Sequence, residues 1–320
     1  MKKISQVSSR GKLSSHLSSP NEFLAIGGQA VIEGVLMRNK DTLAIAVRNE
    51  KGRIILKKDP IPSLTSRFPF FGWPFFRGIA GFFQMLIIGI KALTYSTNIA
   101  LGEEEEVLGF WELAGMIALS FVFAIGFFVL VPYVVTHFLG FDDLTSPLFF
   151  NLVDGIIKMT LFLLYVYAIS FMHDIHRVFQ YHGAEHKTVN CYEAGKPLTV
   201  SSVRQFSTIH PRCGTSFIML VMIVGILLMS LIGPLMTLFF PSFVSLSFFL
   251  QKGILFILRI FFLLPIAGVS YEVLKAAGKY RQSKVLQLVN SPGLLLQKIT
   301  TQEPDDKQIE VAIAALKGVV

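Results

Sequence analysis

Five of the seven histidines and both cysteines of this 320-residue chain fall in one stretch, His173 to Cys213. At its centre, His182-Gly-Ala-Glu185-His186 has the H-x-x-E-H spacing associated with inverted zinc-peptidase sites. On a helix, residues four apart share a face, so both imidazoles can reach one metal ion. Glu185, beside His186, is placed to act as general base toward a metal-activated water. A catalytic zinc takes three protein ligands and keeps a fourth position open. His210 and Cys213, in His-Pro-Arg-Cys-Gly, are the further candidate ligands, and Cys191 is a weaker one. Lys187 and Arg212 would add positive potential for an anionic or phosphate-bearing substrate. The bland reading competes. H-x-x-E-H is short enough to arise by chance, and histidines and basic residues near a membrane also bind lipid headgroups or satisfy backbone groups. No clear acidic ligand follows downstream, which a peptidase of that type would need, so a peptidase is not the default.

Four other residues invite a role. His173 and His176 flank Asp174 and are candidates to orient the ligands, although interfacial residues without special duties are the more ordinary reading. Gln29 and Glu33 lie among apolar neighbours in GGQAVIEGV. Glu33 is either a buried carboxylate reaching the site or a surface residue of a turn-and-strand motif, and the second is favoured.

The elements that must position these residues are set by composition. Hydrophobic residues make up 52% of the chain and charged residues only 16%, against about 25% charged in a soluble domain. That places a membrane protein first. The net charge of +8 does not point to nucleic acid, because the basic residues sit outside the apolar runs and no interleaved basic and aromatic surface is visible. Two cysteines are too few for a disulfide framework.

Four apolar runs read as transmembrane helices: Leu113 to Thr136, Pro147 to Met172, Ser216 to Phe239 and Leu246 to Tyr271. The links at 139–151 and 240–250 contain no Lys or Arg, whereas the segment between the second and third runs and both terminal segments are rich in them. Positive residues mark the cytoplasmic side, which puts both termini and the His/Cys-rich loop there. Arg77 to Leu101 has an uncharged core too short to span, and an extra crossing would break the charge parity. It reads as an interfacial or re-entrant helix. Asp154 and Lys158 are four apart on one helical face and can neutralise each other. Arg259, near mid-bilayer, calls for a helix interface or watery cavity, with Asp154 as a candidate partner.

The remaining segments complete an expected fold class: an α-helical integral membrane protein with about four transmembrane helices, a small N-terminal cytoplasmic β unit and a helical C-terminal tail. The first 22 residues, basic, Ser-rich and without an apolar signal region, read as a disordered tail. Residues 23–66 form the β unit of three or so strands, with a hairpin through Asn49-Glu50-Lys51-Gly52. Residues 67–108 hold a Pro-rich linker and the interfacial helix, 109–172 and 216–275 the helix pairs, and 173–215 the loop. In the tail, 276–320, a helix starts at Glu303-Pro304-Asp305-Asp306. Its stripe Ile309, Ala312, Ile313 and Leu316 is expected to pack on the protein's own cytoplasmic layer.

At GGQAVIEGVLMR, PFFRG, YHGAEHKTVNCYEAG and HPRCGTSF the sequence resembles the bacterial YqhQ-like family, a domain of unknown function whose members are described as predicted metal-dependent enzymes. The resemblance runs from about Ile26 to TTQEPDDKQIEVAI and keeps the order of several long motifs. It implies a multi-span membrane protein and strengthens the His/Glu/Cys cluster as a site, without supplying a reaction.

The function expected on these grounds is a metal-dependent, hydrolytic enzyme of the bacterial inner membrane, with a divalent metal, zinc, as cofactor. Its site would be Glu185 with His182, His186, His210 and Cys213, facing the cytoplasm toward a lipid-linked or membrane-associated substrate. The alternative is a non-catalytic accessory protein for membrane-protein insertion or quality control, with a membrane-protein partner. In that case the cluster is a structural metal site or a polar network. Transport is weaker, since no internal repeat is visible.

Overall fold

The computed structural model describes residues 26–39, 42–61, 68–102, 110–142, 145–280 and 282–320. The N-terminal tail, Pro62 of the linker and the acidic run at 103–106 lie outside them.

Four strands form an antiparallel meander in the order β1 (Ile26–Val31), β2 (Gly34–Asn39), β3 (Thr42–Arg48) and β4 (Ile54–Pro60). The β3–β4 hairpin turns where the Asn49–Gly52 signal predicts: Gly52 has φ 74, and Asn49 Oδ1 accepts the Arg53 N–H at 2.9 Å. The GGQAVIEGVLMR run does not read as a hairpin from its residues, yet it folds back at Ile32-Glu33, with Val31 paired to Gly34. Glu33 takes φ 48 there, a left-handed conformation that carries none of the usual Asn-Gly or Asp-Gly signal. The sheet therefore has four strands rather than about three.

Both faces of the sheet are covered, which explains why Val35-Leu36-Met37 is a continuous apolar run. Val35, Met37, Ala44 and Ala46 pack toward two helices on one side. Leu36, Leu43, Ile45 and Val47 pack toward a third helix on the other. This third helix, α1 (Phe76–Leu101), is uninterrupted over 26 residues. Its small residues Gly89, Ala92, Ser96 and Ala100 recur every three or four positions and make the buried face. Ser96 Oγ accepts the Ile32 N–H at 3.2 Å. A Cβ on Gly89 would lie 2.8 Å from the Gln29 side chain, which points away from the histidines. The opposite face exposes Phe83, Leu86, Ile87 and Ile90.

Next come α2 (Phe110–Ile125, continued through a π-turn at Gly126–Leu130 into Val131–Phe138) and α3 (Pro147–Ile169). The π-turn lies just ahead of Pro132, whose ring cannot fit beside a regular i−4 carbonyl and which has no N–H to donate. After α4 (His173–Glu193) and the single turn α5 (Val200–Val203) come α6 (Gly214–Phe239) and α7 (Phe248–Lys279). The chain ends in α8 (Lys284–Thr300) and α9 (Asp306–Lys317). Asp305 caps α9 in a reciprocal box with Gln308. Ile309, Ala312, Ile313 and Leu316 are all buried against α4 and the sheet, as their spacing predicts.

Five helices are long and apolar enough to cross a bilayer: the four read from the sequence and α1. At 1.5 Å per residue a 26-residue helix is about 39 Å long, against a hydrocarbon core of about 30 Å. Length therefore permits α1 to cross, but its contacts run a different way. Its first turn is tied to the far end of α7: Arg77 pairs with Glu272 through two hydrogen bonds, and the Phe75 N–H reaches the same carboxylate at 3.2 Å. Gly268 and Gly78 admit the Phe75 ring and Tyr271, respectively. Its second half rests on the sheet. Both ends of α1 thus meet the layer that holds the sheet, and the PFFRG residues are the joint.

Asp154 and Lys158 form the expected i, i+4 pair at 2.5 Å. Arg259 does not pair with Asp154; its Nη2 donates to Asn151 Oδ1 at 3.2 Å. Asn151 lies one turn before Asp154 on α3, and the lysine has already taken the carboxylate.

Candidate metal centre

The α4 helix presents His182 and His186 on one side, and Cys213 meets them as the N-cap of α6. The Thr215 N–H donates to Cys213 Sγ at 3.4 Å, so the helix start fixes the sulfur. His182 Nδ1 lies 2.8 Å from the Thr300 carbonyl oxygen and His186 Nδ1 lies 2.5 Å from that of Thr208. A carbonyl only accepts, so each Nδ1 carries a proton, and in the neutral tautomer the bare Nε2 of each ring faces inward. His182 Nε2 is 3.2 Å from Cys213 Sγ. The ligand atoms of His182, His186 and Cys213 all lie within 4.8 Å of one another.

This donor set fits a divalent metal. Histidine ligands characteristically donate their second nitrogen to a carbonyl or carboxylate, which fixes tautomer and orientation. Both do so here. One thiol hydrogen can satisfy only one of the two inward lone pairs, whereas a cation satisfies both and the sulfur as a thiolate. Two imidazoles and a thiolate suit zinc. Burial lowers the pKa of His186, which keeps the ring neutral and able to ligate.

Glu185 completes the pocket. Its Oε2 is 3.9 Å from His182 Nε2 and 3.8 Å from His186 Nε2. Burial raises its pKa, opposed by the charges of His182 and His210 and by a hydrogen bond from the Gly28 N–H. Strand β1 comes so close that a Cβ on Gly28 would sit 2.9 Å from the Glu185 side chain and 2.6 Å from the Leu36 carbonyl oxygen. That contact gives the second glycine of GGQAVIEGV, Gly28, a reason.

His210 stands beside this group rather than in it. Its ring centroid is 5.7 Å from that of His186, and its Nε2 lies 3.7 Å from Glu193 Oε1. Its backbone is locked to Gln297, which accepts the His210 N–H and donates to its carbonyl, both at 2.9 Å. Cys191 is buried in the core, with Ser202 Oγ at 3.6 Å. His173 is exposed, and its ring lies beside Asp174 at 3.3 Å. The positive charges expected to draw an anionic substrate are already paired: Lys187 with Glu303 at 2.5 Å, and Arg212 with Glu193.

A model of the family described as "Protein of unknown function (DUF1385)" matches residues 73–320. The chain belongs to this family. It is 35% identical over 314 residues to the "Uncharacterized protein YqhQ" of Bacillus subtilis (strain 168), covering 90% of each chain. No solved structure matches it. The family match spans every residue of the His/Cys/Glu group, while the whole β unit, with Gly28 and Glu33, precedes it.

Sequence reasoning missed the groups that hold this His/Cys/Glu cluster together. The Thr208 and Thr300 carbonyls and the Gly28 N–H are backbone atoms, which no side-chain pattern reveals. Gln297, a lone amide in the apolar run GLLLQKI, did carry a signal. It is fully buried and also donates to Ser216 Oγ at 2.9 Å, joining α8 to the loop before α6 and the first turn of α6.

Glu33 has a different partner from either sequence reading. It is bound by Arg177 through two hydrogen bonds of 2.6 Å and receives the Tyr181 hydroxyl at 3.1 Å. Arg177, Tyr181 and Glu185 are four apart, so β1 and its turn follow one stripe of α4. Burial alone would raise the Glu33 pKa, but Arg177, Tyr181 and the charge of Arg48 outweigh it and hold it below the usual carboxylate range. A depressed folded pKa gives stability that is present above the unfolded value and lost as pH falls through the folded one. Glu33→Gln is expected to cost about 1–2 kcal/mol at neutral pH and to flatten the acid limb of a thermal-stability profile. An acid limb identical to that of the parent protein would contradict this role.

Proposed function

We propose that this chain is a multi-pass protein of the bacterial inner membrane carrying a zinc-type metal centre at its cytoplasmic face. We read the centre as the site of a hydrolytic enzyme acting on a lipid-linked or membrane-associated substrate. The observation that carries the proposal is the convergence of two Nε2 atoms and one sulfur, with both Nδ1 atoms anchored to backbone carbonyls. Three protein ligands leave a coordination position free, the pattern of catalytic rather than structural zinc. When bound, the metal would supply Lewis-acid polarisation. Glu185 would take and return a proton at Oε2, and its burial favours that role over that of a solvated carboxylate.

The second reading, a structural metal site in an accessory protein, is favoured by one observation: Glu185 Oε2 is nearly equidistant from both Nε2 atoms. That position also suits a fourth ligand. Glu185→Gln separates the two. A catalytic base predicts unchanged metal content, with a lipid-linked species accumulating in membranes of cells carrying the variant. Loss of metal with an unchanged lipid profile would favour the structural role.

The topology supporting this reading places both termini, the sheet and the metal centre in the cytoplasm, from the Lys/Arg distribution. Helices α2, α3, α6 and α7 then cross, and α1 lies along the membrane surface with Phe83, Leu86 and Ile90 toward lipid. An impermeant maleimide applied to intact cells is expected to label Ser242→Cys, between α6 and α7, and not Ser201→Cys. The reverse pattern would sink the orientation.

A further inference from the structure

Away from the metal centre, α2, α3 and α7 enclose a cleft of about 450 Å³, within the range of pockets that hold small ligands. One wall is apolar and includes the π-turn: Gly126, Val129 and Leu130, with Tyr133 a turn further on. Lys158 and Arg259 line the other side. We propose that this cleft binds the anionic head of a single-chain amphiphile, a carboxylate or phosphate, with the alkyl chain against the α2 wall. The inference rests on the reading that these helices cross the membrane.

Charge is the first argument. Asp154 is the carboxylate at this level, and it is spent on Lys158 at 2.5 Å. Arg259 has a neutral partner, the Asn151 amide oxygen, at 3.2 Å. Among the described residues no carboxylate lies within ion-pair distance of it. Two cations and one anion leave a positive charge inside the bilayer. Arg259 and Lys158 each lie 11 residues into helices that begin on the same side, roughly 16 Å from that end. A lone charge at such depth is costly and ordinarily faces a counter-ion or a cavity. Here it faces a cavity.

Shape is the second argument. The π-turn that Pro132 imposes widens α2 where it borders the cleft. No other atom lies within 4 Å of the position a Cβ on Gly126 would occupy, so the wall is open there. A guanidinium makes up to five hydrogen bonds in a fork that matches carboxylate and phosphate oxygens. One of these donors is committed to Asn151, leaving a set suited to a two-oxygen anion. A helix of another protein bearing a mid-membrane carboxylate is the competing occupant, but the cleft's length of apolar wall beside the cations favours an amphiphile.

The test uses the full chain in phosphatidylcholine nanodiscs, with diazirine-bearing dodecanoate, dodecyl phosphate and dodecanol as photo-crosslinking probes. Labelling of the 122–133 segment by either anionic probe is expected to exceed that by the alcohol at least several-fold. The preferred anion would identify the source as fatty acid or phosphate lipid. Arg259→Gln should reduce anionic labelling to the alcohol's level, and Arg259→Lys should preserve most of it. Leu130→Trp, which fills the cleft without changing charge, should block it even if Arg259→Gln folds poorly. Equal labelling by dodecanol, or labelling unchanged in both Arg259→Gln and Leu130→Trp, would overturn the proposal. So would capture of a partner membrane protein through Arg259 in place of probe binding. Maleimide labelling of Ser242→Cys in intact cells, where the membrane is sealed, shows separately whether the helices cross.

Discussion

Cys213→Ser is expected to abolish stoichiometric metal binding while leaving the fold in place. The reason lies in the two duties of this residue. As N-cap of α6 its sulfur accepts the Thr215 N–H at 3.4 Å, and serine does that at least as well. As a ligand it offers a thiolate, which a hydroxyl does not replace near neutral pH. Changes in the groups that merely orient ligands already cost roughly 10–100-fold in affinity, so loss of the ligand itself should exceed that. His182→Ala and His186→Ala should behave alike. His210→Ala should not, because its Nε2 is turned toward Glu193 and its backbone contacts to Gln297 survive the substitution. Metal content by plasma mass spectrometry, with affinities from chelator competition, distinguishes these outcomes. A ligand that binds only the folded state raises stability by mass action. Chelation should therefore lower the Tm of the parent protein and leave that of Cys213→Ser unchanged. Equal metal in the parent and Cys213→Ser, or loss of metal in His210→Ala, would remove the proposed centre.

The parts of the molecule that were legible in the sequence are those whose cause is local. A run of about 20 apolar residues signals a helix long enough to span wherever its neighbours lie. Asn49-Glu50-Lys51-Gly52 contains its own turn chemistry, Asp305 and Gln308 cap α9 from within one turn, and Asp154 reaches Lys158 across a single turn. The parts that were not legible depend on residues far apart in the chain. Glu33 can hold a left-handed turn because Arg177, 144 positions away, grips its carboxylate. Lys187 and Arg212 read as free positive charge, yet each is paired, Lys187 with Glu303 far along the chain and Arg212 with Glu193. His210 sits next to Cys213 in sequence and near it in space, but only orientation separates a ligand from a neighbour. For α1, composition gave an apolar helix. What it lies on follows from Glu272 and the sheet, neither of which its own residues specify.

The tightest such long-range contact makes Gly183, between the two histidines, the position least tolerant of a methyl group. A Cβ there would lie 2.0 Å from the Gln302 carbonyl oxygen and 3.3 Å from Thr208 Cγ2. In a free helix, glycine to alanine is stabilising by about 1 kcal/mol, so propensity and packing predict opposite signs. Packing wins because the obstacle is backbone. The Gln302 N–H is bonded to the Phe179 carbonyl at 2.9 Å, and two residues earlier Thr300 offers the carbonyl that orients His182. Moving Gln302 by the ångström or more required would disturb both. Overpacking typically costs 1–3 kcal/mol, occasionally more. Gly183→Ala is therefore expected to lose a net of about 2 kcal/mol or more, a fall in Tm of at least about 4 °C, and to weaken metal binding although no ligand has changed. Gly81→Ala, on α1 with no atom within 4 Å of its Cβ position, is the matched control and should be neutral or stabilising. If Gly183→Ala binds metal like the parent protein and is no less stable, the α4 helix does not lie against the 300–302 segment. The backbone anchor of His182 would then be lost as an explanation for the geometry of the site.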